Sequence, residues 1–206
     1  MTDDSPNPGG SAASPRDAWL MRARAWPHRA WLADVLAFLW GLAEATVFFL
    51  PVEMLITYLA LGNPLRALRA AVAALMGAVI GAGLLYYWGG HDVFSAMTLI
   101  AALPGLSPEV MDAAESALQQ HGLAAIPAGV LSTATGKAHA VFAQGLGIGL
   151  VPFLAVFAAI RALRLLLSGC LAFCLGAMAQ CFLSRRIVLA LWTAAWAFIL
   201  WRMFGA

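Results

Sequence analysis

Charge is what this chain has least of. Of its 206 residues only 11% are charged while 63% are hydrophobic, and the mean hydropathy is +0.84. A soluble core does not need so much apolar material, so the balance points to a chain that uses lipid as its solvent. Several apolar stretches near the length of a span make one all-α polytopic membrane domain the economical reading. A net charge of +2 with scattered basic residues leaves no nucleic-acid signature. Cysteine is also scarce. Cys170, Cys174 and Cys181 form one stripe at helical spacing, with no nearby His or carboxylate to complete a metal shell, so packing is expected and no cofactor. No zincin helix and no Ser-His-acid set with triad spacing is present, which argues against an intramembrane enzyme.

Residues 1–18, rich in Ser, Pro, Gly and Asp, cannot bury enough apolar surface to offset their ordering entropy, and a disordered cytoplasmic tail is expected. They lack a basic region leading straight into a short apolar core with a cleavage site. No cleaved signal peptide is expected, and the first membrane segment should stay attached.

Against this background the few charges inside apolar stretches stand out. An ionisable group at membrane depth costs roughly 2.5 to 3.5 kcal/mol, so it usually faces a wet cavity, a partner charge or a pathway. Glu44 and Glu53 bracket Pro51 within the apolar run 31–61, and Lys137 lies in a later run. Pro51 removes an amide donor and makes a straight span doubtful. The expectation is a re-entrant hairpin that breaks near Phe49–Pro51 and returns at Gly62-Asn63-Pro64, each half about ten residues and short of a crossing.

Residues 67–89 read as a full crossing, with Gly77, Gly81 and Gly83 forming a small-residue face and Tyr86, Tyr87 and Trp88 at an interface. The segment 91–122 has no Lys or Arg and reads as external. There Ser107-Pro108-Glu109 looks like a helix start, Glu109, Asp112 and Glu115 a polar side, and Gly122 a stop. The second half repeats the plan: an apolar approach from Leu123 to Leu131, a polar break over 132–137 centred on Gly136, an exit ending at Gly145–Gly149, and a helix from about Val151 to Phe182. The expected architecture is thus two inverted repeats, each a re-entrant helical hairpin plus a transmembrane helix, within a membrane domain spanning 19–186. Repeat 1 covers about 31–90 and repeat 2 about 123–182, and an extra C-terminal transmembrane helix occupies 187–206.

Basic residues set the orientation. Arg16, Arg22, Arg24 and Arg29, then Arg66 and Arg69, then Arg185 and Arg186 all fall on the cytoplasmic side if the first stretch is a hairpin. A rival arrangement has plain spans at 138–160 and 165–183, with Arg161 and Arg164 in the turn between them.

The run Glu44-Ala-Thr-Val-Phe-Phe-Leu-Pro51-Val-Glu53, the Gly-rich helix after it, Gly136-Lys137-Ala-His-Ala-Val-Phe-Ala-Gln-Gly145 and Arg161-Ala-Leu-Arg164 together resemble the DedA family of membrane proteins (the VTT or SNARE-associated domain), in particular its YqaA-like branch. The resemblance covers roughly residues 31–182. One proline stands before Glu53 where the family's acidic motif usually carries two. The resemblance implies a bacterial inner (plasma) membrane protein with two opposed re-entrant hairpins. It also implies movement of phosphate-bearing lipid headgroups, undecaprenyl phosphate among them, and a role in proton-motive-force and envelope homeostasis. By position Glu44 and Glu53 look like the family's membrane acids, and Arg161 and Arg164 like its paired arginines.

If the two hairpin tips meet, Glu44 and Glu53 from one and Lys137 from the other can pair across a water-filled crevice. A carboxylate balanced between burial and a basic partner can take or release a proton as substrate binds. Arg161 and Arg164, three apart on one helix face, can add bidentate phosphate contacts. The plain alternative for the acids is an ion pair that only fixes hairpin geometry. The surroundings of Lys137 fail as a P-loop, because Leu131 and Ala138 stand where Gly and Ser or Thr are required. His139 could relay protons or simply pack. Ser132, Thr133 and Thr135 could satisfy broken backbone or touch substrate, and Trp26, Trp31, Trp192, Trp196 and Trp201 read as interface anchors. The expected activity is a transporter or flippase of a phosphate-bearing lipid, with membrane lipid and protons as partners and a homo-oligomer left open. The alternatives are a proton-coupled small-solute carrier and a non-transporting assembly factor.

Overall fold

The computed structural model describes residues 30–103, 106–127 and 133–204, and among these every regular element is helical. The tail 1–18, the arginines 16 to 29, Trp26 and Ser132 lie outside the described residues. The helices are α1 (Ala30–Thr46), α2 (Glu53–Gly62), α3 (Pro64–His91), α4 (Val93–Ala101), α5 (Pro108–His121), α6 (Thr133–Ala143), α7 (Leu150–Phe182) and α8 (Arg185–Phe204). A 3-10 turn over Gly122–Ala125 follows α5.

Local signals place the boundaries. Asn63 caps α3, its side chain accepting from the Leu65 and Arg66 amides at 3.0 and 3.3 Å, and Pro64 fills the first turn, where its missing donor costs nothing. Asp92 plays the same part for α4, accepting from the Ser95 amide at 3.0 Å. Helix α5 starts at Pro108 and stops at Gly122, whose φ of 53° favours glycine. It buries Met111, Ala114 and Leu118 and leaves Glu109 and Asp112 exposed, an amphipathic pattern.

The most extensive helix contact joins α1 to α3. They run parallel: Asp34 pairs with Arg69 near their beginnings, and Ala45 lies against Gly81 farther along. Backbones touch there. A Cβ added at Gly77 would overlap the Phe38 carbonyl, and one added at Gly41 would overlap the backbone of Ala74. Gly83 is not part of this face, because two residues beyond Gly81 it has rotated toward α7, where a Cβ would meet only Leu154 at 3.9 Å. The chain therefore goes up in α1, breaks over 47–52, and comes back in α2 to the end where it began, before α3 runs the full length. The returning α2 has the expected ten residues, but α1 has 17, longer than the expected ten. The inbound helix is extended because its glycine and alanine face stays in contact with α3 along the way.

Helix α7 runs antiparallel to α3. Phe153 stacks on Tyr86 at one end, and at the other Gln180 donates to the Leu61 carbonyl at 3.3 Å. Tyr86 is consequently a core residue, with its hydroxyl donating to the Ile148 carbonyl at 2.7 Å, whereas Tyr87 and Trp88 are exposed. Arg161 and Arg164 lie inside this continuous 33-residue helix, so the rival arrangement with a turn between them does not hold. Gly136, expected as a break, is also within a helix. The polar run around it continues into α6, and the chain instead turns after Ala143, where Gly147 adopts a φ of 75°. Helices α3 and α7 are long and apolar enough to cross a membrane. At 1.5 Å per residue they measure about 42 and 50 Å, against a hydrocarbon thickness of about 30 Å.

Two apolar clusters form the core. One gathers Tyr86, Ile126, Phe142, Phe153 and Phe157, and the other Val52, Ile56, Ala70, Ala74 and Leu165. Arg161 falls between Phe157 of the first and Leu165 of the second, one helical turn from each. The site occupies this seam.

Candidate functional site

The backbone of the break 47–52 has polar groups that no helix can satisfy, and three side chains from two helices satisfy them. Glu44, two residues before the end of α1, accepts from the Val52 amide at 2.9 Å. Trp40 donates to the Leu50 carbonyl at 2.9 Å, and Lys137 from α6 reaches the Phe48 carbonyl at 2.8 Å. Pro51 sits buried within the break, where its missing amide is no loss. Buried backbone groups left unpaired cost about as much as a lost hydrogen bond, so these three side chains hold the break open.

The two acids then meet the arginines of α7. Arg161 Nη2 contacts Glu44 Oε2 at 2.5 Å, Arg164 Nη2 lies 3.3 Å from Glu44 Oε1, and Arg164 Nε lies 2.6 Å from Glu53 Oε1. Glu44, Glu53 and Arg161 are 1%, 6% and 4% exposed, so the Arg161–Glu44 pair is dry, whereas Arg164 is only partly buried. Helix geometry explains the arrangement: Arg161 and Arg164 are one turn apart on α7, and the acids sit on either side of the break, facing them. Lys137, equally buried, does not pair directly with either carboxylate among the described contacts. Its ammonium is held by the Phe48 carbonyl, because α6 meets the break at its backbone and α7 reaches the acids first.

Hydrogen-bonding capacity remains inside this largely buried cluster. Glu53 Oε2 and Arg161 Nε are buried without a hydrogen-bond partner, and the short Arg161 Nη2 contact to Glu44 is an ion contact without hydrogen-bond alignment. Such groups are the exception in folded proteins and mark places where function outweighs satisfaction. His139, 2% exposed, has no partner on either ring nitrogen, and it lies two residues from Lys137, turned away from the break. Thr135 is half-buried in the first turn of α6, at the Lys137 end.

A second layer was not apparent from the sequence. The Thr57 hydroxyl, one turn after Glu53, donates to the Glu53 carbonyl at 2.7 Å and accepts from the indoles of Trp192 and Trp196, each at 3.1 Å. These two tryptophans are thus donors to the interior rather than interface anchors, whereas Trp31 and Trp201 are exposed. Their spacing of four, one helical face, was the available signal.

Fold and site define an all-helical protein whose two long apolar helices suit a membrane, with a buried cluster of opposite charges at a helix break. No family model, curated protein or solved structure matches the chain. Among the described residues no group of His, Cys, Asp and Glu could hold a metal ion.

Proposed function

We propose that this chain is a polytopic membrane transporter of the DedA type that moves a phosphate-bearing lipid across the bilayer, with proton coupling through its buried acids. The observation that carries this reading is the largely buried cluster of Glu44, Glu53, Arg161 and Arg164 beside two apolar helices. A purely structural cluster would consume its own hydrogen-bonding groups, and this one retains Glu53 Oε2 and Arg161 Nε. With Lys137 counted, three basic groups face two carboxylates, an excess suited to an anion. Arginine forks match phosphate oxygens, and an arriving phosphate competes with a carboxylate for them. The displaced carboxylate, no longer paired, takes up a proton, which links substrate to a proton gradient.

The finer architecture belongs to the same proposal. In it, α1 and α2 form a re-entrant hairpin, α6 and the turn after it belong to its inverted counterpart, α3 and α7 cross the membrane in opposite directions, and α8 adds a C-terminal span. The parallel course of α1 with α3 and the return of α2 support the hairpin. Arg66, Arg69, Arg185 and Arg186 gather at one end, which the positive-inside bias assigns to the cytoplasm. A bacterial inner-membrane location, as the DedA resemblance implies, with a cytoplasmic N-terminus completes the proposal.

The test is translocation of a fluorescent polyprenyl phosphate or phospholipid in proteoliposomes, with and without an imposed pH gradient, for wild type, Glu44→Gln, Glu53→Gln and Arg161→Ala. Wild type should move phosphate-bearing lipid, and each folded variant should lose most of that activity. Absence of movement by wild type under both conditions refutes the lipid reading and favours the small-solute carrier or assembly factor.

A further inference from the structure

Helix α8 holds the bundle by a narrow stripe. Among its described residues only Val188 is buried, and its inward contacts continue at Trp192 and Trp196, each four residues on. Both indoles donate to one hydroxyl, that of Thr57 on α2, at 3.1 Å, and the same hydroxyl donates to the Glu53 carbonyl at 2.7 Å. A hydroxyl offers one donor and two acceptor sites, so this one is saturated, and an indole has no polar group besides its N–H. We propose that Trp192, Trp196 and Thr57 form a gate between the charge cluster and a cavity at the α2–α8 end of the bundle, through which the lipid headgroup enters. The gate rests on the transport reading of the cluster and extends it.

The three residues stand where a barrier is needed. On one side lies a cavity of about 370 Å³ between α2, α7 and α8, whose walls mix Asn63, Gln180 and Arg185 with Leu59, Val188 and Leu189. It is roomy and polar enough for water, and its mixed wall suits an amphipathic molecule. On the other side lies Glu53, whose buried Oε2 has no protein partner. The way between them is short. Tyr58 lines the cavity with its ring 5.5 Å from that of Trp192, Thr57 is the next residue inward, and Glu53 is one turn beyond Thr57. Gly62 and Arg185 meet at the cavity, so α2 and α8 run in opposite senses, and Trp196 lies deeper than Trp192, on the Glu53 side. Because so few contacts tie α8 to α2, a swing of α8 breaks both indole bonds together and leaves the close α1–α3 contact intact. Movement of one element against the rest around a fixed site is the usual form of alternating access.

Two experiments on the full chain decide between a gate and a fixed strut, and one of them needs no transport. In detergent, hydrogen–deuterium exchange over the first turn of α2 should be about tenfold or more faster in Thr57→Val than in wild type, while α3 along its contact with α1 is unchanged and Thr57→Ser keeps wild-type rates. If Thr57→Val does not purify as a single species, Trp192→Phe with Trp196→Phe removes both donors, keeps the rings and should give the same local increase. Unchanged exchange, or an increase spread equally over both regions, overturns the proposal. For the second experiment the native cysteines are changed to alanine, and Leu59→Cys with Leu189→Cys, on the α2 and α8 walls of the cavity, are bridged in proteoliposomes by a reducible bifunctional thiol reagent. Bridging should slow lipid movement about tenfold or more, and reduction should restore it. Lipid movement unaffected by the bridge makes the three residues a fixed strut and overturns the gate. A wild type that moves no lipid refutes the transport reading instead, and the barrier between cavity and cluster then stands or falls by the exchange comparison.

Discussion

Glu44 serves two masters within a few ångströms: the Val52 amide, which it satisfies as a cap would, and the Arg161 and Arg164 guanidiniums, which it neutralises. Glutamine at this position keeps an acceptor for the amide but strands Arg161, while Arg164 keeps Glu53. Breaking a buried pair by removing one partner costs about 3–5 kcal/mol, so Glu44→Gln should unfold markedly earlier in denaturant, in detergent solution. Glu44→Gln combined with Arg161→Met should cost clearly less than the two single changes summed, because each single change leaves an uncompensated charge. Simple additivity in that cycle would mean that the pair does not couple. Sequence alone singled out these residues as expensive charges in apolar runs. It did not reveal that α7 rather than α6 supplies the partners, since separations of 111 and 120 residues carry no local signal. Nor did it show Thr57, whose hydroxyl looks unremarkable until two indoles are found on it.

Among the elements, the contact of α1 with α3 depends on the absence of side chains. Gly77→Val should abolish a monodisperse preparation, while Gly83→Ala should be tolerated or slightly stabilising, because a methyl at Gly83 meets only ordinary contact and alanine is the better helix former. Size-exclusion profiles and melting of the two variants check this, and equal behaviour would show that the close approach is unimportant. The start of α4 carries a pH dependence. The Ser95 amide holds the Asp92 carboxyl below the usual carboxylate range. A depressed folded value means that this cap stabilises fully above the ordinary carboxyl range and is lost as pH falls through the folded value. Asp92→Asn should therefore flatten the acid limb of a melting-temperature profile, and an unchanged limb would contradict the assignment. Helix bounds were legible where caps and periodicity are local: α7 begins one residue before the expected Val151 and ends at the expected Phe182, and α5 starts and stops on its Pro and Gly. Ser, Thr and Gly before Lys137 read as a break because they favour loops. Packing of α6 among α3 and α5 keeps the part from Thr133 onward helical.

For the whole molecule, the antiparallel course of α3 and α7 puts α5 at one end and the start of α8 at the other. In a bilayer these ends face opposite compartments. With the three native cysteines changed to alanine, Glu109→Cys and Arg186→Cys should react with an impermeant maleimide from opposite sides of sealed vesicles. Labelling of both from the same side would refute the proposed topology.

The reach of Lys137, Arg161 and Arg164 back to the first break also imposes an order on biosynthesis. Once Glu44 and Glu53 have left the ribosome, neither meets its Arg164 partner until the chain has grown by a further 120 and 111 residues respectively. At ribosomal speeds this interval lasts on the order of ten seconds, during which the N-terminal half must shelter two unpaired acids or wait at the membrane surface. The halves are therefore obligate companions, each finishing the other's fold, and a chain cut between α4 and α5 should accumulate only when both fragments are made in the same cell.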